Sequence, residues 1–167
     1  MGIPGTGKST IAKKLASKIN CNTYDLDDLL WERKYDLRWD RTPEGKIKLI
    51  KMLNNIVKKN KWVVEGCSRK WIKASLDRAD LIIFLDLPIK TISLRLIKRY
   101  IRRKYIQKQK HKENLLMQLE LIKCSKKLKN ETEQDEHSFK SIVKKYNKKT
   151  VHLKTQKEVN NFIENFK

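Results

Sequence analysis

The residues best able to do chemistry stand at the front of the chain. Gly2-Ile3-Pro4-Gly5-Thr6-Gly7-Lys8-Ser9 has the spacing G-x-x-x-x-G-K-S. Glycines at these positions let a backbone wrap a phosphate with successive N–H groups turned inward, and a helix start behind them adds its positive end. Lys8 would reach the outer phosphates, and Ser9 would offer its hydroxyl to Mg²⁺. Gly2, Gly5, Thr6, Gly7, Lys8, Ser9 and Thr10 are therefore the candidate nucleotide-binding residues, with ATP and Mg²⁺ as the implied cofactors.

Three further groups could complete such a site. Glu65-Gly66-Cys67-Ser68-Arg69 follows an apolar run, and Asp25-Leu26-Asp27 closes another. Asp86 ends a third, Leu81 to Leu85. Arg95 and Arg99 lie four apart on a helical pattern and so share a face; guanidinium groups suit phosphates because they are planar and always charged. Each has a plainer reading: a solvated strand-end arginine at Arg69, an Asp helix cap in the D-x-D, a strand terminus at Asp86, an ordinary basic helix at Arg95.

The ordered set of motifs resembles the adenylate kinase-like nucleoside monophosphate kinases. Glu65 to Arg69 is similar to their D-G-x-x-R element, with Glu65 in place of the usual Asp. That likeness implies an acid that orders water around Mg²⁺ and an arginine that holds an acceptor phosphate. Arg95 and Arg99 resemble their R-x-x-x-R at the entrance to a lid. Asp27-Asp28-Leu29-Leu30-Trp31, Trp62 to Arg69, Ala79-Asp80 and Thr155 to Phe162 look like the DNA topology modulation protein group within that branch. By contrast, Asp25-Leu26-Asp27 resembles shikimate kinase and other kinases of hydroxyl acceptors. A hydroxyl benefits from a carboxylate that takes or positions its proton, whereas a phosphate acceptor needs none.

The implied assignment is catalytic Lys8, Asp27, Arg95 and Arg99; acceptor binding by Asp27, Glu65, Gly66 and Arg69; and metal binding by Ser9, Asp25, Glu65 and Asp86. The reaction expected is phosphoryl transfer from MgATP to a small nucleotide-like or hydroxyl acceptor. A basic nucleic-acid-binding or polynucleotide-end-modifying protein, or an inactive remnant, is the alternative.

The elements around these residues alternate between helix and strand. Ile11, Leu15 and Ile19 recur four apart and predict a helix from Lys8 to Ile19. Cys21 to Leu26, Trp62 to Val64, Leu81 to Leu85 and Thr150 to Leu153 read as strands. Thr42 with Pro43 starts a helix carried by Ile47, Ile50, Leu53 and Val57. Ile89 to Tyr105 reads as a long basic helix, Leu115 to Leu128 as another, and Thr155 caps a last one. Such alternation predicts a three-layer α/β/α domain over residues 1–167 with a parallel sheet, and a helical lid inserted around 100–136.

A net charge of +21 would draw polyanions and keeps a nucleic-acid partner open. Only 9 of the 40 basic residues are Arg, so a compositional bias toward Lys explains much of it. Three scattered cysteines predict reduced thiols in a cytoplasmic protein. No apolar run approaches the roughly 20 residues of a membrane span. Oligomeric state is not legible.

One element is short. A loop of this kind hangs from a buried strand, and only Met1 precedes it. Without that strand, the neighbours ending at Glu65 and Asp86 would face each other across unpaired backbone groups, each costing about 1–3 kcal/mol. A strand lies upstream of Met1, or the sheet closes up and displaces the loop, or the chain is a remnant; the first is the expectation, because the glycines and Lys8 are intact.

Overall fold

The computed structural model describes residues 1–32, 37–67, 70–106 and 115–166. Its elements in chain order are α1 (Lys8–Ile19), β1 (Thr23–Asp25), α2 (Leu26–Leu30), β2 (Trp31–Glu32), β3 (Leu37–Arg38), α3 (Pro43–Val57), β4 (Val63–Glu65), α4 (Lys73–Arg78), β5 (Ile82–Leu85), α5 (Ile89–Ile101), α6 (Leu115–Lys129), α7 (Phe139–Lys145), β6 (Thr150–Leu153) and α8 (Gln156–Asn165). The α/β class and the parallel strands agree with the sequence pattern.

Caps fix several helix starts. The Thr42 side chain accepts from the Gly45 N–H at 3.1 Å, and Thr155 does the same for Glu158 at 3.2 Å. Asp25 carries out a similar task, its Oδ1 accepting from the Asp27 N–H at 2.7 Å where α2 begins. The expected polar connection after Trp31 is instead α2 followed by the small antiparallel pair β2–β3. The buried face of α3 also differs from expectation. Ile47 and Ile50 are exposed, and Leu49, Leu53, Ile56 and Val57 are buried. The helix expected to reach Tyr105 stops at Ile101 and continues as one π-helical turn, Arg102–Ile106.

The sheet comes in two halves. β1 pairs parallel with β4, Asp25 opposite Glu65, and β5 pairs parallel with β6. Between β4 and β5 only the first residues cross: Gly2 bridges Leu85. The Met1 amino group donates to the Ile83 carbonyl at 2.6 Å, and Leu85 N–H donates to the Met1 carbonyl at 3.0 Å. The sheet has therefore not closed up, and the loop keeps its place at the strand ends. Two cores follow from this split. One gathers Ile3, Ile11, Leu15, Phe84, Leu87, Ile92, Leu96 and Val159. The other gathers Leu26, Leu30, Leu49, Leu53, Val57, Trp71 and Ile72.

Candidate active site

Parallel strands release their chain at one end, and that end is where an open α/β sheet gathers ligands. Here β1 and β4 finish in register, so Asp25 and Glu65 stand side by side. The Glu65 carboxyl is buried and hydrogen-bonded to the Ser9 hydroxyl and to Asp25. Burial pushes its proton affinity above the usual carboxylate range, and neighbouring Asp25 adds to the rise; the Ser9 bond and Lys8 oppose it. Two carboxylates are thus held against the first turn of α1 by adjacent strands.

The loop itself is locked from within. The buried Thr6 hydroxyl donates to the Ile3 carbonyl at 2.9 Å, and Lys8 Nζ folds back to the same carbonyl at 3.3 Å. Helix α5 then reaches in from the other side. Arg95 Nη1 donates to the Thr6 carbonyl at 2.9 Å, and its Nη2 donates to Gln156 Oε1 at the start of α8. Arg99 Nη2 lies 3.5 Å from Oε1 of the buried Gln118 on α6. The same helix touches the loop, with Ser125 Oγ donating to the Pro4 carbonyl at 3.4 Å.

These groups line one cleft of about 850 Å³. It takes in Gly5, Thr6, Gly7, Lys8, Ser9 and Thr10 from the loop, Asp25, Asp27 and Glu65 from the strand ends, and Arg95 and Arg99 from α5. Lys14, Lys98, Arg102 and Arg103 join the wall, so bases outnumber acids around it. Gly2 stays outside the cleft in the bridge to Leu85, its carbonyl accepting from the Cys67 thiol at 3.3 Å. Gly66 does its work behind the wall: at φ +156 a Cβ there would lie 2.7 Å from Leu26 Cβ.

Asp86 departs from the expected metal set. Its Oδ1 accepts from Lys129 Nζ at 2.8 Å, and its Oδ2 lies 3.0 Å from His152 Nε2. Both oxygens are committed on another face of β5, in a separate pocket with Phe139 and Lys140. Among the described residues no three His, Cys, Asp or Glu side chains converge as a metal cage. Arg69 lies outside the described residues. Sequence reasoning missed Gln118, Ser125 and Gln156. Gln156 carried a faint signal as the first helical residue after the Thr155 cap; a buried glutamine among exposed leucines of α6 carried none.

A glycine-rich loop before a helix, flanked by parallel strand ends with facing carboxylates, defines a P-loop NTPase fold. The model of the AAA domain family matches residues 1–119, and the chain belongs to that family of P-loop proteins. No curated protein sequence matches it significantly. Among solved structures it is similar to a gluconokinase from Sinorhizobium meliloti, with a TM-score of 0.54 and 14% identity, covering 98% of this chain and 85% of that one. It is also similar to shikimate kinase from Bacteroides thetaiotaomicron, with a TM-score of 0.50 and 16% identity over 98% of this chain and 92% of that one. At these identities the likeness speaks for the fold. Among the described residues no helix is long and apolar enough to cross a membrane.

Proposed function

We propose that the chain is an adenylate kinase-like kinase, transferring the γ-phosphoryl group of MgATP to a small nucleotide-like or hydroxyl acceptor. The observation that carries this reading is the meeting of Ser9, Asp25 and Glu65 at the loop, with Arg95 and Arg99 lining the same cleft. The donor set is all oxygen, as a hard cation requires. A dication would also offset the burial and the Asp25 proximity that raise the Glu65 proton affinity. Ser9, Asp25 and Glu65 would hold Mg²⁺, which when bound neutralises charge developing on the phosphates.

The chain's own groups do the rest. Gly5, Thr6, Gly7, Lys8 and Thr10 cradle the phosphates, and Arg95 and Arg99 stabilise the transferring group's charge. Asp27, at the cleft wall, orients an acceptor hydroxyl and takes its proton. Gly66 lets the β4 end pack on Leu26, and Arg69 retains its expected role as an acceptor clamp. Helix α6, resting on Pro4 and Arg99, belongs to the lid.

A polynucleotide end is the second reading for the acceptor, favoured by Lys98, Arg102 and Arg103 along the cleft. The test is ADP release from MgATP across nucleoside monophosphates, hydroxy acids, sugars and 5′-hydroxyl oligonucleotides, with Lys8→Ala as control. Acceptor-dependent turnover lost in Lys8→Ala supports the reading. A melt unmoved by MgATP would sink it, since saturation at 100 times Kd adds about 2.7 kcal/mol. Polynucleotide binding that falls steeply with salt and ignores Lys8→Ala would favour a nucleic-acid-binding protein instead.

A further inference from the structure

The large apolar cavity of the molecule is not the nucleotide cleft. It is a slot of about 740 Å³ between the two half-sheets, lined by Ile11, Leu15, Val64, Ile72, Leu76 and Ile83 among others. Its long walls are strand edges. Val63 N–H donates to Asn22 on the β1 side, so the alternation of a strand turns the Val64 N–H and carbonyl the other way, toward the slot. On the facing wall, Met1 has already begun a ladder. Its amino group bonds Ile83 and its carbonyl bonds Leu85, the pattern of a parallel pair centred on Phe84. Continued backward from the Met1 nitrogen, that ladder would next engage the Ile83 N–H and the Leu81 carbonyl.

The chain direction, the open edges and the apolar lining all describe the same occupant. We propose that this slot is the seat of a β-strand, an extended apolar segment of four or five residues joined by a peptide bond to the Met1 nitrogen. At about 3.3 Å per residue such a segment runs the length of the walls from Phe84 to Asp80. It pairs with β4 on one edge and β5 on the other, merging the half-sheets into one parallel sheet. Because helices and side chains line the slot around it, both its faces are apolar, and β-branched residues suit it. The buried Met1 amine fits the same account. An ammonium is a poor group to bury there, and burial drives its pKa from 8.0 to about 5; an amide in its place keeps the bond to Ile83 without a charge.

Intact-mass measurement of the protein from its native source tests the occupant. A chain extending at least four residues before Met1, heavier than 19.9 kDa, is expected; a native chain that starts at Met1 or Gly2 overturns the proposal. The slot is tested separately, without nucleotide. Fusing Ile-Ile-Val-Ile-Val before Met1 is expected to slow amide exchange at Val64 and Ile83 at least about tenfold and to raise Tm by several degrees. A control with proline at the second and fourth positions, which cannot donate to a ladder, is expected to do neither. Unchanged exchange in the apolar fusion, or equal protection by the proline control, overturns the proposal. Should the fusion aggregate, the same peptide with blocked ends is added to the 167-residue chain; no slowing at Val64 and Ile83 at saturation overturns it as well. None of these readouts depends on phosphoryl transfer, so they stand apart from the kinase assay.

Discussion

The amino terminus of the 167-residue chain offers a stability test whose sign and size follow from the structure. Burial, and then Lys8, lower the Met1 amine from 8.0 to about 5, against a smaller opposing pull from Glu65. The unfolded amine still titrates near 8. Between pH 5 and 8 the unfolded state therefore binds more protons, and stability rises with pH across that window. Three pH units at about 1.4 kcal/mol each set a ceiling of about 4 kcal/mol. Above pH 8 the penalty vanishes; below about pH 5 it is complete. Glu65, whose raised affinity works in the opposite sense as pH climbs, would blur a single curve. The assay is therefore a subtraction: urea unfolding at pH 5, 6.5 and 8 of the free and Nα-acetylated chains, with mass spectrometry confirming that Met1 is retained. The acetylated form keeps the donor to Ile83 and cannot ionise. It should gain on the free form by about 2–4 kcal/mol at pH 5 and draw level at pH 8. Parallel curves would mean that the amine is not desolvated and that Met1 does not sit against β5.

Other perturbations probe the site and its supports. Gly66→Ala puts a methyl 2.7 Å from Leu26 Cβ at a φ of +156; urea melts should show a loss of about 1–3 kcal/mol, with weaker MgATP binding because Asp25 and Glu65 shift apart. Gln156→Ala removes an acceptor from Arg95. Calorimetry should find MgATP bound about 3–10-fold more weakly, with stability little changed at this exposed position. Leu53→Ala, at a fully buried site, should cost about 2–5 kcal/mol in denaturant unfolding. Thr42→Ala removes the α3 cap and should cost about 1 kcal/mol by the same method.

What the sequence made legible was local. Caps act over three residues, so Thr42 and Thr155 could be recognised without knowing the fold. The loop was legible for the same reason. The face of α3 was not. Ile47-Ile50-Leu53-Val57 and Leu49-Leu53-Ile56 are overlapping stripes of the same period, and propensity cannot choose between them. Packing chooses: a Cβ on Gly45 would lie 2.1 Å from the Trp39 carbonyl oxygen, and this close approach fixes the rotation of the helix. Helix α6 reverses the usual pattern, exposing Leu115, Leu116, Met117 and Leu119 while burying Gln118 and Ser125. Its partners are an arginine and a loop carbonyl, so its inner face is polar. Asp86 was readable as a strand end, but its partners lie 43 and 66 residues away. Nothing in its neighbourhood announced Lys129 and His152.

The separation into two apolar cores has a consequence for motion. Asp25 and Glu65 end the strands of one half, whereas α1 and α5, which carry Ser9 and Arg95, pack into the core of the other. Across the slot the halves share few backbone bonds, so each can open without breaking the other's core. Native-state amide exchange in the 167-residue chain should then resolve two cooperative units of different stability rather than one. The carboxylates and the loop hydroxyl would separate and rejoin as those units breathe, a slow gate on the site set by the weakest seam of the sheet.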